Sequence, residues 1–544
     1  MKSNFTIFSL LSANLCTFFK KISKSKPRTS TFVLLMTILN LALYHWPLLS
    51  FANKNLAILT LNGMQTLLTV FAVIYLVTAL VLYPLFILSR RLGKAVCVIF
   101  AIGNSLATYF VVTYNVILDK TMMGNIFNTQ YSESEQFLSL KLIAYFFVLG
   151  LIPAWLIIRT SIQKTSRVRL FLHLTITVIV ASTWVWQSQS HWLWVDDHAK
   201  QLGGRIMPWS YVGNAARYQS DRAKQNIVQT LLPDANFRSN KKTVVVLVIG
   251  ESARAENFSL YGYDRLTNPL LTASDVITLK KATSCATYTT ASVKCILSHV
   301  NTSGVFSENF ETLPSYLQRQ GIDVIWRTKN WGEAPIKVSS YLTSGDLKKH
   351  CEGLECDYDG VLLTNLTEQI RASDKQKVFV VLHQTGSHGP SYYSKYPKEF
   401  EVFKPVCRSV ELNNCTQEEL INAYDNTILY NDHFLDNLRQ ILDGLSQTSS
   451  AYLYVSDHGE SLGEGGIYLH GTPHTIAPDQ QLKVPFFVWM SQSFIDQKHI
   501  SVDKLKQREQ STQANIFHSV MGAFDMDSEI YNKDLDMFEA AANK

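Results

Sequence analysis

The chain has 544 residues and a formal net charge of +6, with 17% charged and 47% hydrophobic residues. Its length exceeds one ordinary domain. The excess positive charge sits in short loops between apolar runs, so it reads as membrane topology and argues against a nucleic-acid partner.

Roughly the first third is apolar and basic. Apolar spans fall at about 31–52, 63–88, 95–118, 138–158 and 168–188, each near the ~20 residues that a helix needs to cross a bilayer. The apolar stretch 5–19 precedes its basic residues, the reverse of a cleaved leader. Lys2, Lys20, Lys21, Lys24, Lys26 and Arg28 mark the N-terminal tail, Arg90, Arg91 and Lys94 the loop after the second span, and Arg159, Lys164, Arg167 and Arg169 the loop after the fourth. The other two loops hold only Lys54, and Lys120 with Lys141. This asymmetry predicts a cytoplasmic N-terminus and places everything after about residue 190 on the outer face. Trp184, Trp186, Trp192 and Trp194 suit an aromatic belt at that exit.

The outward loop 119–137 carries Asn125, Thr129 and Glu133 at intervals of four, which a helix would put on one face. A plain solvated loop is the competing reading. Residues 189–241 are polar and mixed, with Gly203-Gly204, Pro208 and Pro233, and read as a bridging segment along the membrane surface. The expected division is a transmembrane domain at 1–190, a bridge at 191–241 and a catalytic domain at 242–544.

In the last part, strand candidates at 243–249, 322–327, 377–383, 451–455 and 484–490 alternate with helix-like stretches such as Thr312–Arg319 and Glu418–Leu442. Such alternation predicts a three-layer α/β sandwich with a mainly parallel sheet. The first strand, Thr243 to Gly250, runs straight into Glu251. The strand Ala451 to Val455 runs into Ser456, Asp457, His458 and Gly459. Open α/β sheets carry their chemistry at carboxyl strand ends. An Asp-His pair alone is weak evidence, because Asp is common in turns. With Glu251 it makes three oxygen and nitrogen ligands, the protein complement of a catalytic zinc site with one open position.

Of eight cysteines, Cys16 and Cys97 belong to the apolar part; the rest are close pairs, Cys285/Cys295, Cys351/Cys356 and Cys407/Cys415. Outside the cytoplasm these predict three local disulfides. A zinc cluster is the rival reading, but no pair has the C-x2-C spacing. The stretch Cys285–Cys295 is crowded with hydroxyls, and Thr287, Thr289, Thr290 and Ser292 all qualify as a nucleophile beside a metal. A threonine hydroxyl is a poor nucleophile until a base or metal activates it, and zinc lowers the pKa of bound water from about 15.7 to about 7.

Two further turns contain histidines: the strand ending at His383, followed by His388, and the stretch around His470. His383 is read as structural; His388 and His470, each followed by glycine, suit a phosphate or a second metal. Asn330 and Lys337, after the strand at 322–327, are candidate phosphate contacts.

Taken together, Gly250-Glu-Ser-Ala-Arg-Ala-Glu-Asn-Phe-Ser-Leu-Tyr-Gly-Tyr-Asp-Arg265, the Cys285–Cys295 loop, Gly386-Ser-His-Gly-Pro390, Ser456-Asp-His-Gly-Glu-Ser-Leu-Gly-Glu464 and Tyr468-Leu-His-Gly471 resemble the phosphoethanolamine transferases, lipid A-modifying enzymes with a sulfatase/alkaline-phosphatase-like catalytic domain. The resemblance covers nearly the whole chain. It implies that Glu251, Asp457 and His458 bind Zn2+, that Thr289 completes the coordination and carries the phosphoethanolamine, and that His388 and His470 lie near the phosphate and a weaker second metal. It also implies that Asn125, Thr129 and Glu133 contact a lipid head group. The implied donor is phosphatidylethanolamine and the acceptor lipid A or lipooligosaccharide, in a Gram-negative inner membrane, by a monomer that confers polymyxin resistance. The Trp331-Gly-Glu-Ala-Pro335 stretch differs from the lysine-bearing loop of the mobile colistin resistance proteins within that family, which leaves Lys337 and the acceptor open. Rival readings are a phosphoglycerol transferase of the lipoteichoic acid synthase type and a non-catalytic metal-binding membrane protein. A sulfatase is disfavoured, since the chain has no Cys-x-Pro-x-Arg stretch.

Overall fold

A computed structural model of the chain describes residues 26–129, 134–188, 192–225, 229–300, 309–333, 335–445 and 448–542. Cys16 and Glu133 lie outside the described residues. The chain divides into two compact units: Met1–Met123 with Phe137–Gln219, and Gly124–Gln136 with Ser220–Lys544.

The first unit is helical. It begins with α1 (Thr29–Tyr44) and α2 (Trp46–Asn55), followed by α3 (Leu61–Leu88) and α4 (Arg90–Tyr114). Two more apolar helices follow, α5 (Leu140–Arg159) and α6 (Arg167–Gln187). Helices α3 to α6 are each long and apolar enough to span a membrane. The first predicted span, 31–52, is instead the pair α1 and α2, bent by 60°. Pro47 explains the break: it has no amide proton to give to the carbonyl of Leu43 one turn back, and its ring crowds that carbonyl, yet it suits the first turn of α2. Pro153 acts similarly in α5, where the turn just ahead of it, Phe146–Leu151, widens to a π-helix.

Buried Asn104 and half-buried Asn40 and Tyr211 bond one another within this unit, as a low-dielectric surround favours. Asn104 Nδ2 donates to Asn40 Oδ1 at 2.7 Å, Asn40 Nδ2 to the Met207 carbonyl at 2.8 Å, and the Tyr211 hydroxyl to Asn104 Oδ1 at 3.0 Å. Tyr211 lies on α7 (Trp209–Gln225), so the segment read as a bridge is partly helical and bonded to these helices.

The second unit is built on a seven-stranded sheet. Its strands are β1 (Thr243–Gly250), β2 (Ile277–Thr278), β3 (Asp323–Thr328), β4 (Ser340–Thr343), β5 (Lys377–His383), β6 (Ser449–Ser456) and β7 (Phe486–Met490), in the order β2-β7-β6-β1-β5-β3-β4. Strands β6, β1, β5, β3 and β4 run parallel; β7 is antiparallel to both its neighbours. The sheet is therefore mixed at one edge. All residues of β1, β5, β6 and β7 are buried, so their sequences are continuous apolar runs without alternation.

One face, with Val245, Leu247, Ile249, Leu453 and Val455, packs against Val293 and Ile296 of α8 (Thr289–Ile296) and Tyr316 and Leu317 of α9 (Leu313–Arg319). The other face meets α10 (Gln417–Asp443), where Asn431 Nδ2 donates to the Tyr454 hydroxyl at 3.0 Å. Truncating a central residue such as Leu247 to alanine should cost about 2–5 kcal/mol. Cys285–Cys295, Cys351–Cys356 and Cys407–Cys415 are disulfide-bonded, and Cys97 is a buried free thiol.

Candidate metal centre and nucleophile

Two adjacent parallel strands bring the ligands together. Gly250 of β1 and Ser456 of β6 are register partners, so the residues that follow, Glu251 and Asp457, leave the sheet side by side. The Asp457 amide donates to the Gly250 carbonyl at 2.9 Å and holds the two strand ends together. From the turn after β5, the Ser387 amide donates to the Glu251 carbonyl at 2.9 Å. Gly386, at φ +53°, lies so close that a Cβ there would stand 2.6 Å from the Glu251 carbonyl oxygen; no side chain fits in that space.

Ligand atoms of Glu251, Asp457 and His458 all lie within 4.8 Å of one another, and all three residues are buried. His458 Nε2 is 3.3 Å from both Glu251 Oε1 and Asp457 Oδ2. Its other ring nitrogen is committed, since Nδ1–H donates to the Gly459 carbonyl at 2.9 Å. That bond fixes the tautomer and leaves the Nε2 lone pair facing the cluster. Asp457 Oδ1 accepts from the Ser252 and His458 amides at 3.2 and 2.7 Å. Asp457 Oδ2 is buried with no hydrogen-bond partner. A buried carboxylate oxygen costs free energy unless something meets it.

Electrostatics points the same way. Burial, and then the neighbouring Glu251, push the Asp457 carboxyl well above its ordinary range. Burial opposes protonation of His458, but Asp457 and Glu251 outweigh it and push its pKa up to about 10. Protons are thus held where positive charge is short. The orphaned Oδ2, the Nε2 lone pair and the Glu251 carboxylate fit a divalent cation, and a mixed carboxylate–imidazole set suits zinc.

Among the sequence's four hydroxyls, Thr289 is the one at the cluster. It opens α8, after Tyr288 at the cap, where the helix dipole favours negative charge. Its Oγ1 donates to Glu251 Oε2 at 3.1 Å and lies 3.4 Å from His458 Nε2. Thr287 Oγ1 donates instead to the Thr472 carbonyl and Ser292 Oγ to the Ala286 carbonyl. The Cys285–Cys295 disulfide closes the loop that contains the first turns of α8.

The histidines gather on one side. The His470 ring centroid is 4.3 Å from that of His458 and 5.0 Å from that of His388. His470 Nδ1 faces Glu460 Oε2 at 3.2 Å, and Glu460 Oε1 accepts from the Tyr392 hydroxyl at 3.0 Å. Burial, then the neighbouring His458, lower the pKa of His470, so its ring is neutral. His383 is fully buried at the end of β5, with Glu333 Oε2 3.7 Å from its Nδ1.

Asn330 reaches the site through the ligand shell: Nδ2 donates to Glu251 Oε2 and to the Gln384 carbonyl, each at 2.8 Å. Lys337 is exposed, its amide donating to Ser315 Oγ, and stands outside the cluster. Asn125 and Thr129 share a turn, Thr129 Oγ1 donating to the Asn125 carbonyl at 2.7 Å. The sequence reading missed Ser252 and Glu460. Ser252 sits at φ +55°, unusual for a residue with a side chain, and donates its hydroxyl to Glu251 Oε1 at 2.8 Å. Both residues lie inside the quoted motifs, which were the available signal.

Comparison with known proteins adds to this geometry. Residues 243–526 match the sulfatase family model and residues 70–223 the model described as phosphoethanolamine transferase EptA/EptB. The chain is 39% identical over 516 residues to phosphoethanolamine transferase EptA of Helicobacter pylori, covering 93% of this chain and 96% of that one. It is 31% identical over 435 residues to phosphatidylethanolamine transferase Mcr-1 of Escherichia coli, covering 74% of this chain and 79% of that one. The structure of lipooligosaccharide phosphoethanolamine transferase A from Neisseria meningitidis is similar with a TM-score of 0.86 and 26% identity, over 95% of this chain and 99% of that one.

Proposed function

Because this chain belongs to the phosphoethanolamine transferases, within the sulfatase superfamily, we propose that it moves phosphoethanolamine from phosphatidylethanolamine to lipid A or lipooligosaccharide through a covalent adduct on Thr289. The donor is in keeping with the name of Mcr-1 and the acceptor with that of the Neisseria enzyme. The observation that carries the reading is the position of Thr289 Oγ1, 3.1 Å from Glu251 Oε2 and 3.4 Å from His458 Nε2.

Glu251, Asp457 and His458 would hold one zinc ion, with Thr289 as the fourth donor. Zinc supplies Lewis-acid charge that lowers hydroxyl pKa values and stabilises phosphoryl oxygens. The chain's own residues do the rest. The Thr289 hydroxyl already directs its proton to Glu251 Oε2, which turns its lone pairs toward an incoming phosphorus. Attack forms the threonine–phosphorus bond and breaks the bond to the diacylglycerol oxygen, which takes up a proton. In the second half the acceptor's oxygen attacks the same phosphorus and Thr289 regains its proton. His388 and His470 bind the non-bridging oxygens or a weaker second metal. Glu460 fixes the His470 ring, so that Nε2 is the nitrogen free to exchange a proton with acceptor or leaving group.

In this reading the N-terminus is cytoplasmic and the second unit lies in the periplasm, as the distribution of basic residues suggests. Asn125, Thr129 and Glu133 contact the donor's head group at the membrane face. The product gains an ammonium group and binds cationic peptides such as polymyxin less well. Mass spectrometry of lipid A and core oligosaccharide from cells with and without the protein tests this. A phosphoethanolamine mass increment on lipid A is expected; a phosphoglycerol increment, or none, overturns it.

A further inference from the structure

A cavity of about 450 Å³ adjoins the ligand cluster and has no part in the scheme above. Its wall includes Lys329, Asn330, Trp331, Gly332, Glu333 and Tyr341. It shares a wall with the reaction centre, because Asn330, which lines it, donates to Glu251 Oε2. Gly332, at φ +98°, lies against the nucleophile's helix: a Cβ there would stand 3.0 Å from Thr290 Cγ2 and 3.6 Å from Thr289 Cγ2. The next residue is Glu333.

The Glu333 side chain is only 11% exposed. Its Oε1 accepts from the Tyr341 hydroxyl. Its Oε2 is buried without a hydrogen-bond partner, His383 Nδ1 being 3.7 Å away. Burial works against ionisation here, yet His383 and the Tyr341 hydroxyl hold the carboxyl below its ordinary range. The carboxylate is thus held in place between Tyr341 and His383, and its residue forms part of the cavity wall. The Tyr341 ring stacks parallel to Trp326, with centroids 6.4 Å apart, which holds it in place as a wall. An anion set among aromatic faces is the arrangement that recognises an organic ammonium ion. Lys329, whose Nζ donates to Thr385 Oγ1 at 3.4 Å, gives the same wall one positive charge. One charge of each sign complements a zwitterion.

Resting on the transfer reading above, we propose that this cavity seats the ammonium end of the transferred group, with Glu333 as its anion and Trp331 and Tyr341 as its aromatic walls, and so selects ethanolamine over glycerol head groups. The arm between phosphorus and nitrogen is short, so its ammonium must be received close to Thr289, as this cavity allows.

Calorimetric titration of the full-length, zinc-loaded protein with phosphoethanolamine and with glycerol 3-phosphate tests the assignment. Wild type should prefer phosphoethanolamine by about tenfold, the scale of one charge-assisted contact. Glu333→Gln keeps an acceptor for Tyr341 and should abolish the preference. Tyr341→Leu should reduce it severalfold, and carries the test if Glu333→Gln does not fold. A wild type without preference, or a Glu333→Gln variant that retains it, overturns the assignment. Transfer from phosphatidylethanolamine is measured in parallel on wild type. Absence of transfer together with a Glu333-dependent preference would overturn the reaction while supporting the cavity.

Discussion

Thr289 Oγ1 and Glu251 Oε2 are hydrogen-bonded at 3.1 Å across 38 positions of sequence. The pair joins the two parts of the candidate chemistry, a hydroxyl that opens a helix and a carboxylate that ends a strand. Everything expected of the nucleophile follows from it.

Thr289→Ala should abolish transfer, by a factor of at least about 10³, as removal of a covalent nucleophile generally does. The fold should survive, since one hydrogen bond and one methyl group are lost from a site outside the main core. Thr289→Ser should keep part of the rate. Intact-protein mass spectrometry of wild type should find a phosphoethanolamine adduct on this residue. Full activity in the alanine variant would move the search to Thr290, the other hydroxyl beside the Trp331 loop.

Glu251→Ala, Asp457→Ala and His458→Ala should each lose bound zinc and activity together, because a catalytic site with an open position has no spare protein ligand. Chelation should do the same to wild type and also lower its melting temperature, since zinc would meet Asp457 Oδ2, which is otherwise unpaired. His388→Ala and His470→Ala should retain one zinc and lose rate. Metal content by atomic emission, measured beside activity, separates the two classes.

His433 gives a prediction on stability. Its Nε2 is 2.9 Å from Glu355 Oε1, and that hydrogen bond raises its pKa against the opposing effect of partial burial. A histidine raised on folding contributes fully below its unfolded pKa of about 6.5, and the contribution is lost as pH rises through the folded value. The second unit should therefore lose a little stability from about pH 6.5 upward, under about 1 kcal/mol for so exposed a pair. His433→Gln should flatten that slope in melting curves across this range. An unchanged slope would assign the dependence to another group.

Glu133→Ala should lower transfer from a lipid donor strongly and leave hydrolysis of a small soluble phosphodiester by the full-length protein unchanged. The residue would bind the donor and take no part in bond breaking. Wild-type transfer from lipid by this variant would reduce the loop to a connector.

The parts of this structure that could be read from the sequence are those where one residue type has one physical use. Buried strands read as unbroken apolar runs, so β1, β3, β5, β6 and β7 stood out, and with them Glu251, Asp457 and His458 at the ends of β1 and β6. Strand direction was not legible: β7 is as uniformly buried as the mutually parallel strands β1, β5 and β6, and its sequence does not encode that it runs the other way. The bend at Pro47 was missed because hydropathy measures length and polarity but takes no account of a missing amide proton. Spacing alone left four hydroxyls in the Cys285–Cys295 loop equal. What separates them is the start of α8, which puts Thr289 at its first turn and directs Thr287 and Ser292 to backbone carbonyls. The Glu333 cavity depends on β4, a four-residue strand that brings Tyr341 to a carboxylate eight positions earlier, and a strand so short has little pattern to find.

The segment Gly124–Gln136 has one further consequence. It lies between two apolar helices in sequence but belongs to the second unit, where Gln136 Oε1 accepts from Ser391 Oγ at 2.6 Å and from Lys395 Nζ at 3.3 Å. The catalytic half is therefore discontinuous in the gene. A soluble fragment cloned from residue 220 onward would lack a piece of its own surface, and Ser391 and Lys395 would meet solvent where they now meet an amide. Supplying residues 124–136 as a separate peptide would restore that surface without restoring the membrane. The second unit is thus assembled from two separate stretches of one chain.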